Sequence, residues 1–449
     1  MPTIKIKKGL DIPLKGAPEK TIESAKLPSV FAIKPQDFIG IQHKLLVKTG
    51  DVVLAGTPLL RSKTNESIVI PAPVSGEVVD VVRGEKRVLL EIRIKSDETI
   101  KYEKFKEGSQ IPSDKSEIIN LLIKSGLWAM IRQRPFDTIP EPTVVPRDIY
   151  ITTFDSSPLA PDYGFILKGM ENYLQVAVDT LSKLTTGKIH FGLNTKADNN
   201  SIFENLKNVE KNYFSGPHPA GNVGVQIHHT KPINKGETVW YINIQDLAAI
   251  GKLMIDGIFD ATRIIAITGP EVSKPAYCQT YIGANISNLV QPKDSKKTLR
   301  YISGNVLTGD RIDSDGYLGF YHHQITVIPE GDYYEFFGWA LPGFDKFSNT
   351  RQFFSKLIPT SNYKLDTNYH GAERAYVMVG QYEKVFPFDI YPVYLIKAIL
   401  ANDIDKMEEL GIYEVSSEDF ALCDFVCTSK IETQEIVHNG LEMLRKELS

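Results

Sequence analysis

The apolar positions of the chain change their spacing several times, and each change marks a different kind of element. Between residues 30 and 95 they come in short β-branched runs, Val52-Val53-Leu54, Val69-Ile70, and Val78-Val79 with Val81-Val82, set among Gly50, Gly56 and Gly76. Runs of this length between turn residues predict a small all-β sandwich. Residues 114–134 shift to helical spacing, with Ile118, Ile119, Leu122 and Ile123 on one stripe. Strands and helices then alternate. Ile149–Phe154 reads as a strand ending in a polar turn, and Lys188–Leu193 and Thr238–Ile244 read as further strands. Gly169–Leu184 places Met170, Tyr173, Leu174, Ala177, Leu181 and Leu184 on one helical face, and Asp246–Ile258 reads as a helix capped by Asp246. Such alternation predicts an α/β layer around a mostly parallel sheet.

From 260 to 340 the pattern favours strands again. Thr262–Pro270 and Arg300–Gly309 look like strand-plus-turn units, and Ile325–Ile328 is predicted to pair with Tyr333–Trp339 as a hairpin. The remainder reads as helices. Pro392 suits a first helical turn, Leu410-Gly411 a stop, and Ser416-Ser417-Glu418-Asp419 a capped start. Val437, Leu441, Leu444 and Leu448 form a last stripe suited to packing on the chain's own core or on a partner.

The segments Val47–Leu59, of the form V-x-x-G-D-x-V-x-x-G-x-P-L, and Val69–Val82 resemble the biotinyl/lipoyl, or barrel-sandwich, domains. Carriers of that family hold a modified lysine in an E-x-M-K-M or D-K-A context. Lys63 lies between the two segments here without that context, which favours a scaffold over a swinging arm. A carrier modified on Lys63 is the alternative.

Composition narrows the class. The chain has 449 residues, 51 basic against 55 acidic, for a net charge of −4. No large basic face is available, so no nucleic-acid partner is expected. The amino-terminal residues lack the apolar core of a signal peptide, and no apolar run is long enough to span a membrane. The 3 cysteines, Cys278, Cys423 and Cys427, suit a reducing compartment and fall short of the four thiolates of a standard 4Fe–4S cluster. Cys423 and Cys427 are four apart, readable as a redox dithiol, as two cluster ligands, or as two small apolar side chains one helical turn apart.

Other signatures are missing. There is no G-x-G-x-x-G, no G-x-x-x-x-G-K-[ST], no G-x-S-x-G and no H-E-x-x-H. The pairs His228-His229 and His322-His323, read as strand neighbours on opposite faces, make poor joint metal ligands. The Gly- and Pro-rich run Phe214–Gly224, containing Pro217-His218-Pro219, fixes a specific loop path, either as a rigid connection or as a binding loop.

Several longer stretches together resemble the NqrA family, the A subunits of the sodium-translocating NADH:quinone oxidoreductase. They are Ile4–Asp11, Phe214–Gly221, Ile302–Gly309, Phe337–Phe344, Gly371–Ala375 and Asp419–Cys427, so the resemblance covers nearly the whole chain. It implies a barrel-sandwich β domain at 30–100, a Rossmann-like α/β domain at 101–258, a β-grasp-like SLBB-type domain at 259–345 and a C-terminal helical domain at 346–449. Residues 1–29 are expected to pack on the α/β domain.

The architecture is also similar to the flavin-binding NADH-dehydrogenase component of complex I and to the RnfC component of the Rnf complex. Those relatives follow Ser-Gly-Leu with a glycine-rich loop that cradles FMN. Here Ser125-Gly126-Leu127 leads into Trp128-Ala129-Met130-Ile131-Arg132-Gln133-Arg134-Pro135-Phe136. Without glycines the backbone cannot approach a flavin phosphate closely. The relatives' C-x-x-C-x-x-C run is also missing.

The resemblance therefore implies a peripheral subunit on the cytoplasmic face of the bacterial inner membrane, without a redox cofactor of its own. Its partners would be the other five subunits, chiefly a membrane-embedded one, and quinone. NADH, flavins and Fe–S centres would belong to the complex. Trp128, Arg132, Arg134, Phe136, Phe214 and His218 are the candidates for a quinone or partner interface, with filling of the vacated cofactor space as the alternative. A soluble NADH dehydrogenase with a divergent flavin site is the remaining rival.

Overall fold

The structure is a computed structural model that describes residues 3–448 except 24–26, 109, 198–199, 295, 339, 351 and 358–361. Two six-stranded sheets, a β sandwich and a helical end make up the fold. Mixed sheets and helices of this kind are what the changing periodicity predicts.

The first sheet has the order Thr3–Lys5, Glu210–Ser215, Ile189–Asn194, Ile149–Thr152, Val239–Tyr241, Arg132–Arg134. All neighbours are parallel except the last pair, where Arg132–Arg134 runs antiparallel to Val239–Tyr241. Chain order moves away from Ile149–Thr152 on one side and then returns to its other side with Val239–Tyr241. The crevice between those two strands is thus the topological switch point, where open α/β sheets bind ligands. Helices Glu171–Leu181 and Ile244–Asp256 pack together, and a Cβ at Gly251 would lie 2.0 Å from the Tyr173 carbonyl oxygen. Only glycine allows that approach.

The second sheet has the order Asp310–Ile312, Leu299–Ser303, Gln324–Pro329, Thr262–Thr268, Ala276–Tyr281, Glu19–Glu23. The amino-terminal segment therefore joins both sheets, one strand in each, and does not pack on the α/β layer alone. The sandwich pairs a four-stranded sheet, Val30–Ile33, Leu89–Ser96, Gly76–Arg83 and Val52–Val53, with a three-stranded one, His43–Leu45, Pro58–Ser62 and Val69–Pro71. At the carboxyl end, Pro392–Leu400, Ile404–Glu409, Ala421–Val426 and Thr433–Glu447 are helical. Val437, Leu441 and Leu444 are buried there, whereas Leu448 is exposed.

Four expectations change. The helix at 114–134 is only Lys115–Lys124, because Gly126 turns left-handed at φ 75° and a 3-10 turn, Leu127–Met130, leads into a strand. The cap of Ile244–Asp256 is Asn243, whose Oδ1 accepts from the Gln245 amide at 2.9 Å. Asp246 is buried inside that helix, paired with Arg263. Residues 333–338 form no strand, since Gln324–Pro329 is already paired on both sides, and Trp339 lies outside the described residues. Finally, His228-His229 sit in the helix Val223–Thr230, and His322-His323 in the irregular stretch just before Gln324–Pro329, not in strands.

Candidate functional site

A cavity of about 920 Å³ opens where the two sheets, the sandwich and the last helices meet. Its floor is the switch point: Thr152, Phe154 and Asp155 follow one strand, and Tyr241, Ile242 and Asn243 end the other. The sandwich adds Lys34 and Asp37, the second sheet adds Asp310, Tyr321 and His322, and the helical end adds Glu418.

Arg132, at the start of the antiparallel edge strand, gives one wall its character. Its guanidinium carbon lies 5.4 Å from the Tyr241 ring centroid and 5.0 Å from that of Tyr321. Nη2 lies 3.6 Å from Asp137 Oδ2, and the Tyr241 hydroxyl donates to Asp137 Oδ1 at 2.6 Å. This wall is planar, aromatic and positively charged at one point, and Phe136 and Phe154 line the cavity elsewhere in its surface against the helical end.

The cavity as a whole is acidic. Nine carboxylates line it (Asp37, Glu91, Asp137, Asp155, Asp246, Asp310, Asp313, Glu418, Glu442) against the four cations Lys34, Arg132, Arg311 and Arg445. Burial pushes Asp37, Asp155 and Asp246 above the usual carboxylate range, with Lys34 and Arg263 opposing at Asp37 and Asp246. Glu418 is pushed up to about 7 by burial and by Asp419 and Asp137, against the pull of Arg134. Its side chain is 37% exposed, so solvent in the cavity moderates that push.

Arg134 sits behind this wall with no exposure. It donates to Asp419 Oδ2 and to Glu418 Oε1, both at 2.6 Å, and its Nε lies 3.5 Å from Asp137 Oδ1. Asp419 Oδ2 also accepts from the Ser416 amide at 2.9 Å, closing the expected capping box. A Cβ on Gly224 would come within 2.7 Å of both Arg134 Nη1 and Asp419 Oδ1, so this glycine makes room for the ion pair. The network ties the α/β layer to the helical end.

The sequence candidates divide accordingly. Arg132, Phe136 and His218 line the cavity. Trp128 does not: it is 1% exposed, donates Nε1–H to the Pro140 carbonyl at 2.7 Å and meets Trp240 edge-on. Leu127, Ala129, Met130 and Ile131 are buried with it, Met130 also reaching the cavity lining. Arg134 is a structural ion-pair partner, and Phe214 packs among the carboxyl-terminal helices with Ile6 and Val225. Sequence reasoning misses Tyr241, Tyr321, Asp137 and His322. They come from separate segments, and only the run Arg134-Pro135-Phe136-Asp137 offers a local signal, a cation three residues before an anion.

His218 is anchored by a serine. The Ser156 hydroxyl accepts from the Gly221 amide at 2.8 Å and lies 3.1 Å from His218 Nδ1. Burial lowers the His218 pKa to about 4. A lowered folded-state pKa means stability that is present above pH 6.5 and lost as pH falls toward 4. Between pH 7 and 5 this residue should therefore cost the wild type about 2 kcal/mol that His218→Gln does not lose. Denaturant titrations at the two pH values test this, and equal acid losses in both proteins would refute it.

Cys423 and Cys427 are free thiols, 0% and 2% exposed, and the Tyr382 hydroxyl donates to Cys427 Sγ at 3.0 Å. They pack as apolar side chains in the helical core. Cys423→Ala with Cys427→Ala should cost about 1–2 kcal/mol in stability and leave activity of the assembled complex intact. Loss of activity in an assembled complex would contradict that packing role. Among the described residues, no helix is long and apolar enough to cross a membrane.

The chain matches three domain families: the NqrA N-terminal barrel-sandwich hybrid domain over residues 4–97, the NqrA second alpha/beta domain over 113–259, and the NQRA C-terminal domain over 264–314. It is 37% identical to the A subunit of the Na(+)-translocating NADH-quinone reductase of Rhodopirellula baltica, covering 99% of this chain and 98% of that protein. The chain belongs to the NqrA family, the A subunits of the Na+-translocating NADH-quinone reductases. The NqrA-family protein of Tolumonas auensis is 38% identical, over 99% of this chain and all of its own (100%). That of Neisseria meningitidis is 38% identical with the same two coverages, 99% and 100%. A chain of an NAD+-reducing nickel–iron hydrogenase aligns with 74% of this chain and 61% of its own, at a TM-score of 0.37 and 11% identity, too loosely to carry an argument.

Proposed function

We propose that this NqrA-family protein is the peripheral, cofactor-free part of the pump on its cytoplasmic face, and that its cavity admits quinone. As a member of its family the chain is a subunit of an NADH:quinone oxidoreductase that translocates Na+. Its partners are the other subunits, chiefly a membrane-embedded one, and it is those other subunits that hold the flavins and iron–sulfur centres and bind NADH.

The observation that carries this reading is the chemistry of the switch-point cavity. A flavin mononucleotide needs a phosphate cradle of glycine amides, and the equivalent segment is filled by buried Leu127, Trp128 and Met130. Nine carboxylates against four cations also repel a dianionic phosphate. A neutral planar ring meets neither obstacle and finds a matching wall in Arg132, Tyr241 and Tyr321. The residues present therefore do not fit FMN.

As purified, the full chain is expected to show no flavin absorbance and no iron, and to bind a short-chain quinone saturably. Stoichiometric FMN in the purified chain would overturn the cofactor-free reading. A chain that binds no quinone, alone or in the complex, would overturn the quinone reading.

A further inference from the structure

Two histidines in the cavity are held by the same device. The Ser303 hydroxyl accepts from the Gly319 amide at 2.8 Å and is hydrogen-bonded to His322 Nδ1, also 2.8 Å away. At His218 the Ser156 hydroxyl does the same, with the Gly221 amide as its donor. A serine donating to Nδ1 leaves the neutral ring's proton on Nε2, and both rings line the cavity. A Cβ at Gly304 would sit 3.4 Å from His322 Nε2, so this glycine keeps the approach to that nitrogen open.

A quinone carbonyl oxygen only accepts hydrogen bonds, so its recognition needs donors on the cavity wall. The four cations are already engaged. Lys34 Nζ donates to the Tyr317 carbonyl at 3.0 Å, and Arg445 donates to the Gly40 carbonyl and to Glu442. Arg311 lies 3.7 Å from Glu330, and Arg132 is held by Asp137 between two tyrosine rings. Other neutral donors line the cavity too, Asn222, Asn305 and Gln434 among them, and the two serine-held imidazoles add ring N–H groups beside them.

We propose that His218 and His322 are the hydrogen-bond donors that recognise the carbonyl oxygens of a quinone ring in this cavity. The inference rests on the quinone reading above and adds the residues that set its specificity. Lys34 and Asp37 from the sandwich, Asp310 from the second sheet and Arg132 from the α/β layer face His322. Burial outweighs the two carboxylates and holds that ring neutral, so it needs no change of charge to donate.

The test uses the full chain and two probes: a short-chain quinone, and the alkylbenzene of the same shape without carbonyl oxygens. His322→Phe and His218→Phe should each weaken quinone binding roughly tenfold, the worth of one well-placed hydrogen bond. Binding of the alkylbenzene should not change. His322→Gln, whose amide nitrogen can stand near the position of Nε2, should recover part of the loss. Wild-type quinone affinity in His322→Phe, or equal loss of both probes, would overturn the proposal while leaving the quinone reading intact. Failure of the wild type to bind the quinone would overturn both.

Discussion

Replacing Arg134 with methionine is expected to destabilise the chain by about 3–5 kcal/mol, the usual consequence of removing one partner from a buried ion network. Asp419, with no exposure, would lose its 2.6 Å bond, and Glu418 and Asp137 would lose part of their compensation. Methionine fills most of the space, so the loss reports uncompensated charge more than a cavity. The pH dependence supplies the sign. Without Arg134, the folded-state pKa values of Glu418 and Asp419, already raised by burial, rise further, and that of Asp137, which Arg134 and Arg132 hold low, rises as well. Their contribution is then most favourable below the unfolded carboxylate range and is lost as pH rises. The gap between Arg134→Met and wild type should therefore shrink as pH falls from 7 to 5. Denaturant midpoints across that range measure it. Adding Asp419→Asn to Arg134→Met should recover part of the loss, because the two positions share one network. A difference from wild type under 1 kcal/mol would contradict the network's role.

Arg132→Ala should behave differently. This guanidinium lies in the cavity wall and is 23% exposed, so its removal costs less in stability than loss of Arg134. Its stacking surface between Tyr241 and Tyr321 is lost directly, and quinone affinity should fall about tenfold. Trp128→Ala provides the converse. Trp128 is packed against Trp240 away from the cavity, so truncation should cost about 3–5 kcal/mol and leave quinone affinity of the folded protein unchanged. Titrations on both variants separate the two outcomes. Normal affinity in Arg132→Ala, or a selective quinone defect in a folded Trp128→Ala, would reverse the assignment.

These contrasting residues show what the sequence could convey. Helices with a sustained apolar stripe, such as Glu171–Leu181 and Thr433–Glu447, are legible because burial on one face imposes a 3.6-residue period. The fold class follows from the order of such segments. The limits of Asp246 as a cap and of 333–338 as a strand arise from tertiary partners, Arg263 in one case and an already paired neighbour in the other. Residue chemistry locates the segment 128–136 but cannot separate its members. Trp128 and Phe136 have the same planar apolar character, yet one packs inside and the other lines the cavity. Tyr241, Tyr321 and His322 are invisible locally, because segments distant in sequence meet at the switch point.

On the proposed reading, this switch-point cavity takes a quinone where a flavin-bearing relative would take FMN. A structure of the assembled complex with a bound quinone analogue tests it most directly. The ring is expected beside Arg132 and Tyr241, with its carbonyl oxygens toward His218 and His322 and no flavin in this chain. A flavin in the cavity, or an analogue held entirely by other subunits, would contradict it.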